Sequence, residues 1–386
     1  MRQSTLAHLA KLVSFKTISA DSNIELINYI NHVLEEHGVV GTVVPNSDGT
    51  KANLYATVGP LVSGGVALSG HSDVVPVQGQ KWSTDPFALS KQGARLYGRG
   101  TCDMKGFIAV CLSMLPDMLR ADLKRPIHLV ISYDEETTCQ GVVSAIQDMK
   151  LKLPPIKAVI IGEPTNMQPV TAHKGAYGYI FKVTGVAAHS SLPHLGVSAV
   201  SLASQLICWL DGLIIKNKLN AEPGPFIPNY SSGHVGLING GNACNILADS
   251  CEFHWDLRTL PQDNYHDFLK VLDHKIDQII KQADNIVPGS RIEYREDYGV
   301  PGLIDNIDSD AELLACRLSE ISQPNVASFS SEAGVFQSAG LSCALLGPGS
   351  IEQAHIADEF IEIEQLSACE ALLGRLIIEQ CQNDSD

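Results

Sequence analysis

Histidines and carboxylates recur in this chain where apolar, strand-like runs give way to loops. His71 and Asp73 follow the apolar run 66–69, and Asp103 sits in the glycine-rich segment 98–106. Glu135 and Glu136 follow the run 127–132, Glu163 follows 156–162, and His355 follows 343–349. Parallel α/β sheets build their sites at the carboxyl ends of strands. Asp73 lies two residues beyond His71, on the same side of an extended chain, where a carboxylate can orient an imidazole and fix its tautomer. Two imidazoles with several carboxylates and no thiolate suit zinc or a similar divalent ion in a hydrolytic site. Each segment alone has a plainer explanation as a capped turn, a solvated helix start or a surface loop. Their joint appearance at several strand ends carries the reading.

The elements that must position these groups fall into two patterns. Helical spacing over 5–13, 23–36, 106–119 and 141–149 alternates with strand-like runs at 64–70, 126–133 and 156–162. That order implies a mostly parallel sheet covered by helices. A second pattern follows, with strands at 176–185, 232–237, 248–257 and 291–298 and helices at 198–213 and 265–282. This is the β-α-β-β-α-β order of a ferredoxin-like sandwich. A helix at 310–322, a strand at 343–346 and a helix at 365–378 return to the first pattern. The expected fold class is α/β: an α/β/α catalytic domain (1–176 and 299–386) interrupted by an inserted α+β domain (177–298).

The chain has 386 residues, 45% of them hydrophobic and 18% charged, enough for two domains with sizeable cores. Its formal charge of −16 argues against nucleic acid as a partner, since phosphate binding needs a basic face. The first twenty residues read as an amphipathic start rather than a leader. The most apolar stretches, 127–132 and 158–162, are too short to span a bilayer. A soluble cytoplasmic protein is expected, with disorder only at the polar end 381–386. The ten cysteines form no Cys-x-x-Cys pair and read as buried reduced thiols, with Cys102 packed close to the site. No Gly-x-Ser-x-Gly elbow is present, so a serine hydrolase is disfavoured.

Taken together, 70–76, 98–106, 133–137, 161–165 and 347–355 resemble, in order, the motifs of the dinuclear-zinc amidohydrolases and exopeptidases. That family includes deacetylases, desuccinylases, aminoacylases and glutamate carboxypeptidases. The resemblance covers about 60–380. It implies a zinc-exopeptidase-like catalytic domain holding two zinc ions per subunit, with cobalt as a possible substitute. Asp103 would bridge the ions, His71 and Glu163 would hold one, and Glu136 and His355 the other. Asp73 would support His71, and Glu135 would be the general base that passes a proton to the departing amine. The inserted domain would be a lid and the dimer interface. His189, in the segment 185–191, would help hold the oxyanion in the partner subunit's site. Asn245 and Arg258 would hold the substrate's carboxylate, and Gly349 and Ser350 would line its pocket. The alternative for Arg258 is a salt bridge with Asp256 or a neighbour.

The implied reaction is hydrolysis of the amide of a small N-acyl amino acid. The segments 163–165, 172–175 and 347–360 are most similar to the deacetylases that act on N-acetylornithine in arginine biosynthesis. An ornithine side chain wants an acid, which Glu332 or Glu352 could supply. A desuccinylase would need a further cation, for which Arg95, Arg99, Lys105 and Lys174 are the nearby options. Acylcitrulline deacylase, general aminoacylase and dipeptidase activities are the other siblings. A non-catalytic binding protein on the same fold is disfavoured because every ligand position and Glu135 are filled.

Overall fold

The computed structural model describes residues 1–382. Most of the tail expected to be disordered, 383–386, lies outside the described residues. The chain divides into two compact units. One comprises Met1–Ala172, Leu303–Val326 and Ser331–Asp386, and the other His173–Gly302 and Ala327–Ser330.

The first unit is built on an eight-stranded mixed sheet. Its strands Ile127–Ser132, Gly65–His71, Ile156–Pro164 and Cys343–Gly347 are neighbours in that order and run parallel. Gly65–His71 and Ile127–Ser132 are buried along their whole length. Burial on both faces explains why they read as continuous rather than alternating apolar runs. The strands Gly41–Pro45 and Ala52–Val58 extend this core antiparallel on one side, and Val170–His173 is antiparallel on the other. These flanking strands were not anticipated. Gly41–Pro45 is only partly buried, so its sequence lacks the apolar signal of the centre.

The helix Lys105–Arg120 is buried continuously from Lys105 to Leu115. It packs in one core with Leu9 and Leu12 of the helix Gln3–Ser14 and with Leu366 and Leu373 of the helix Ile363–Gln380. Gly162 lets the sheet approach it closely, since a Cβ there would lie 2.1 Å from Cγ of Phe107. The strand end bearing Glu163 is thereby set against the start of the helix that follows Asp103. Truncating Phe107 to Ala would cost about 3–5 kcal/mol.

The second unit is a four-stranded antiparallel sheet in the order Ser232–Gly240, Ser250–Thr259, Gly175–Thr184, Arg291–Val300. The helices Ala199–Leu219 and Tyr265–Asp284 complete the β-α-β-β-α-β order. Side-chain oxygens of Ser198 and Asn264 cap their N-termini. Phe181 stacks on Phe253 with centroids 4.5 Å apart, and Trp255 on Phe268 at 5.0 Å. The edge strand Ser232–Gly240 leaves Leu237 64% and Ile238 54% exposed.

The helix expected over 198–213 runs to 21 residues, Ala199–Leu219, and by length and composition it is long and apolar enough to cross a membrane. Ala199, Leu202, Ala203, Leu206 and Leu210 are its buried residues. Their three- and four-residue spacing is that of a helix with one face in a core, and they pack with Phe181 and Phe253 of the sheet.

Candidate metal centre

His71 is the last residue of a buried parallel strand and has no exposed surface. Its Nδ1 lies 2.9 Å from the carbonyl oxygen of Asp73 and 3.6 Å from the Asp73 carboxylate. A carbonyl can only accept, so Nδ1 carries the proton and Nε2 is left to face the site. The backbone of Asp73, rather than its carboxylate, is thus the nearer orienting group. The Asp73 carboxylate accepts from Ser19 Oγ at 2.7 Å and from the backbone N–H groups of Glu135 and Glu136 at 3.2 and 3.3 Å. It caps the short helix Glu135–Thr138 and so fixes where two further acids emerge.

Those acids follow Asp134, which turns the chain out of the sheet with a left-handed φ of 57°. Asp134 is held there by an ion pair with Lys51. Nε2 of His71 is 2.9 Å from Asp103 Oδ1 and 3.9 Å from both Glu135 Oε2 and Glu163 Oε1. Nε2 of His355 is 2.9 Å from Glu136 Oε2 and 3.3 Å from Asp103 Oδ2. Asp103 therefore presents one oxygen to each imidazole. His71, Glu135 and Glu163 form one group with metal-binding spacing, and His71, Asp103 and Glu136 another. The six residues meet although the sequence spreads them over 285 positions (355 − 71 + 1). By distance alone Glu135 belongs with the ligands as much as with the water-activating groups.

The electrostatics suit a bound cation. Burial pushes the Glu135 and Glu163 carboxyls well up, reinforced for Glu163 by the charges of Asp103 and Glu135. Burial and Asp103 raise Glu136 to about 7. Burial alone would raise Asp103 too, but hydrogen bonds from His355 and His71 hold it well below the usual carboxylate range. Hydrogen bonding to Asp103 and Glu136 raises His355 to about 10. Oε1 of Glu163 is buried and accepts no hydrogen bond among the described residues. An orphaned carboxylate oxygen among other buried acids must either keep its acid protonated or face a bound positive charge. With four carboxylates and two imidazoles, the donor set fits a pair of divalent ions. The nearby thiols are engaged as hydrogen-bond donors. Cys102 donates to the Ser350 carbonyl at 3.2 Å, and Cys139 donates to Glu135 Oε1 at 3.4 Å.

Gly349 is buried with a φ of 91°, and a Cβ there would lie 2.5 Å from the Cys102 sulfur. Ser350 is half-buried, and its hydroxyl accepts from the Glu352 N–H at 3.3 Å. Glu332 is not available to a substrate ammonium. It is 1% exposed, and its two oxygens accept from the hydroxyls of Ser69 and Ser132, under the strand ends that carry the site. Glu352 is exposed. The cations considered for a second substrate carboxylate are all engaged. Arg95 pairs with Glu362, Arg99 pairs with Glu359, Lys105 donates to the Phe15 carbonyl and Lys174 to the Tyr230 carbonyl.

His189, Asn245 and Arg258 belong to the second unit. His189 is exposed, with Nδ1 2.7 Å from Ser191 Oγ. The Asn245 carbonyl accepts from the Ser190 N–H at 2.9 Å, so His189 and Asn245 share one edge of that unit. Arg258 forks onto Asp256 with two 3.0 Å hydrogen bonds, and the Tyr298 hydroxyl also donates to Asp256. The guanidinium is thus already paired, as the plainer reading of Arg258 had it.

Sequence reasoning missed the groups that hold the loops. Glu359 is 1% exposed and accepts from the backbone N–H groups of Gly100, Cys102 and Asp103. It lies four residues beyond His355 and within the segment 347–360 that carries the family resemblance, but nothing in that resemblance gave it a role.

The chain matches peptidase family M20/M25/M40 over residues 67–379. It is 34% identical to the acetylornithine deacetylase of Proteus mirabilis over 382 residues, covering 96% of this chain and 95% of that one. The acetylornithine deacetylase of Edwardsiella ictaluri is 34% identical over 394 residues, with 98% of each chain covered. Among solved structures, a tripeptidase from Staphylococcus aureus superposes with a TM-score of 0.76 at 18% identity, covering 99% of each chain. A metallo-carboxypeptidase of the M20 family from Sulfolobus solfataricus gives 0.75 at 18% identity, covering 99% of this chain and 100% of that one. At such identity the structural likeness speaks for the fold alone. A family match across most of the chain, with full-length relatives at one-third identity, assigns the protein to peptidase family M20/M25/M40.

Proposed function

We propose that the protein is a metal-dependent amidohydrolase that converts N-acetylornithine and water to ornithine and acetate. The observation that carries the site is Asp103, whose two oxygens face His71 and His355. One carboxylate so placed suits a bridge between two ions, with His71 and Glu163 on one side and Glu136 and His355 on the other. Zinc is the assigned metal, and cobalt a workable substitute. Bound there, the ions would supply a water acidic enough to attack near neutral pH and would polarise the amide carbonyl. Glu135 is assigned the proton, taken from the water and delivered to the leaving nitrogen. Asp73 holds the turn that aims it. The substrate assignment rests on the full-length relatives and on the engagement of Arg95, Arg99, Lys105 and Lys174, which leaves no free cation in that set for a succinyl carboxylate.

A homodimer formed through the second unit fits the exposed edge strand Ser232–Gly240 and the exposed Ile215 and Leu219 on the helix Ala199–Leu219. A second copy pairing along that edge would cover both. Ten free thiols fit a reducing, cytoplasmic setting.

The test is acyl release by zinc-loaded and chelated protein on N-acetylornithine, N-succinyl-diaminopimelate, N-acetylcitrulline, N-acetylmethionine and a dipeptide. Preference for N-acetylornithine, lost on chelation and restored by zinc, is expected. Metal-dependent turnover of another of these compounds would move the protein to a sibling reaction. Sedimentation of wild type against Leu237→Asp tests the dimer.

A further inference from the structure

The loops that carry Asp103 and His355 come from distant parts of the chain, yet one hydrogen-bonded chain ties them together. Glu359 lies at its centre, with its carboxylate wholly within the protein. Oε1 accepts from the N–H groups of Cys102 and Asp103 at 2.8 and 3.1 Å, and Oε2 from Gly100 N–H at 3.0 Å and Arg99 Nη1 at 2.7 Å. Three consecutive-turn N–H groups converging on one anion fix the backbone of the Asp103 loop, where Gly100 takes a left-handed φ of 82°. Arg99 then passes the connection on. Its Nη2 donates to Gln80 Oε1 at 2.7 Å, and Gln80 Nε2 donates to the carbonyl oxygen of His355 at 2.8 Å. Trp82 Nε1 donates to the same Gln80 oxygen at 3.0 Å, which fixes the amide's orientation. His355 itself holds a left-handed φ of 63°, a conformation that costs a non-glycine residue free energy unless its surroundings impose it.

We propose that Gln80 and Glu359 are positioning residues that couple the two halves of the metal centre: Glu359 sets the Asp103 loop and Gln80 locks His355 to it through Arg99. This rests on the two-metal reading above. Neither residue touches the substrate or the reacting atoms. Their effect runs through the aim of Asp103, which both ions would share, and of His355, which serves one.

The two residues therefore make different predictions. Gln80→Leu removes the tether to His355 and leaves the buried Arg99–Glu359 pair in place. Glu359→Gln replaces an acceptor oxygen by an amide group that faces N–H donors. The experiment measures zinc affinity by chelator competition on the purified apoproteins, and the absorption spectrum of the cobalt-loaded forms. His355→Ala serves to identify which binding step belongs to the His355 side. Wild type should show two steps. Gln80→Leu should weaken the step lost in His355→Ala by about 10–100-fold, the usual cost of removing an outer partner of a metal ligand, and leave the other step in place. Glu359→Gln should weaken both steps and alter the cobalt bands. If Glu359→Gln fails to fold in thermal melts, Gln80→Leu still decides the matter. Unchanged affinity in Gln80→Leu, or equal weakening of both steps, would overturn the coupling. A wild type that takes up no metal would overturn the metal-centre reading and this inference with it.

Discussion

In the first unit, Asp103, Glu135, Glu136 and Glu163 are gathered with their side chains no more than 8% exposed, around an imidazole that is wholly buried. In the second unit, the groups of chemical interest lie at the surface: His189 is exposed, and Arg258, 41% exposed, is neutralised by Asp256. The first arrangement is costly for a folded protein, because buried like charges must be neutralised by protons or by a bound counter-charge. The second costs almost nothing, because exposed pairs contribute little either way. A fold retains such an arrangement where it binds something, so burial against charge makes the first unit the candidate for holding metal. The second unit's groups can act only by meeting a substrate or another subunit at its surface.

Glu135→Ala makes the largest break in that contrast. It should lower turnover by about 10²–10⁴-fold or more, as loss of a general base does, while both ions stay bound. Metal analysis checks it, and loss of an ion would make Glu135 a ligand, as its spacing with His71 and Glu163 also allows. His189→Ala should lower turnover by roughly 10–100-fold, below the effect of a lost oxyanion-hole donor, with metal content unchanged. Unaltered turnover would remove the exposed edge of the second unit from catalysis.

Burial should also show in the pH dependence of stability. His128, in the centre of the first unit's sheet, is pushed down to about 4 by burial, with the Thr57 hydroxyl 2.9 Å away. Between pH 4 and 6.5 the unfolded chain binds a proton there that the folded one does not, so stability falls as pH drops through that window. The loss from this one group should reach roughly 3 kcal/mol by the lower end. Urea midpoints for wild type and His128→Gln at pH 6.5 and 4.5 would read it, the variant showing the shallower fall. The smallest effect belongs to Arg258→Met. It should change stability by less than about 1 kcal/mol, while raising KM with kcat held if the guanidinium leaves Asp256 for a substrate carboxylate. An unchanged KM would leave Arg258 as the partner of Asp256 and nothing more.

Residue types and local pattern were enough for much of this. The apolar runs at 64–70, 127–132, 156–162 and 343–346 are parallel core strands because burial on two faces leaves a local trace, a continuous apolar stretch. The β-α-β-β-α-β unit was legible for the same reason, since alternation along Ser250–Thr259 and helical spacing along Tyr265–Asp284 are local signals. The acids and histidines at strand ends stood out by type and place. What the sequence alone could not determine was set by contacts between distant residues. The sheet's antiparallel flanks depend on pairing partners. That Asp73 turns its carboxylate to the backbone of Glu135 and Glu136, and that Glu332 is sealed under two serines, follow from three-dimensional packing. Glu359 is the sharpest case. Its N–H partners lie more than 250 residues away, and backbone donors carry no side-chain identity that a sequence could display. A chain writes its burial pattern into residue order, but which buried groups satisfy one another is decided only when the strands and loops are brought together.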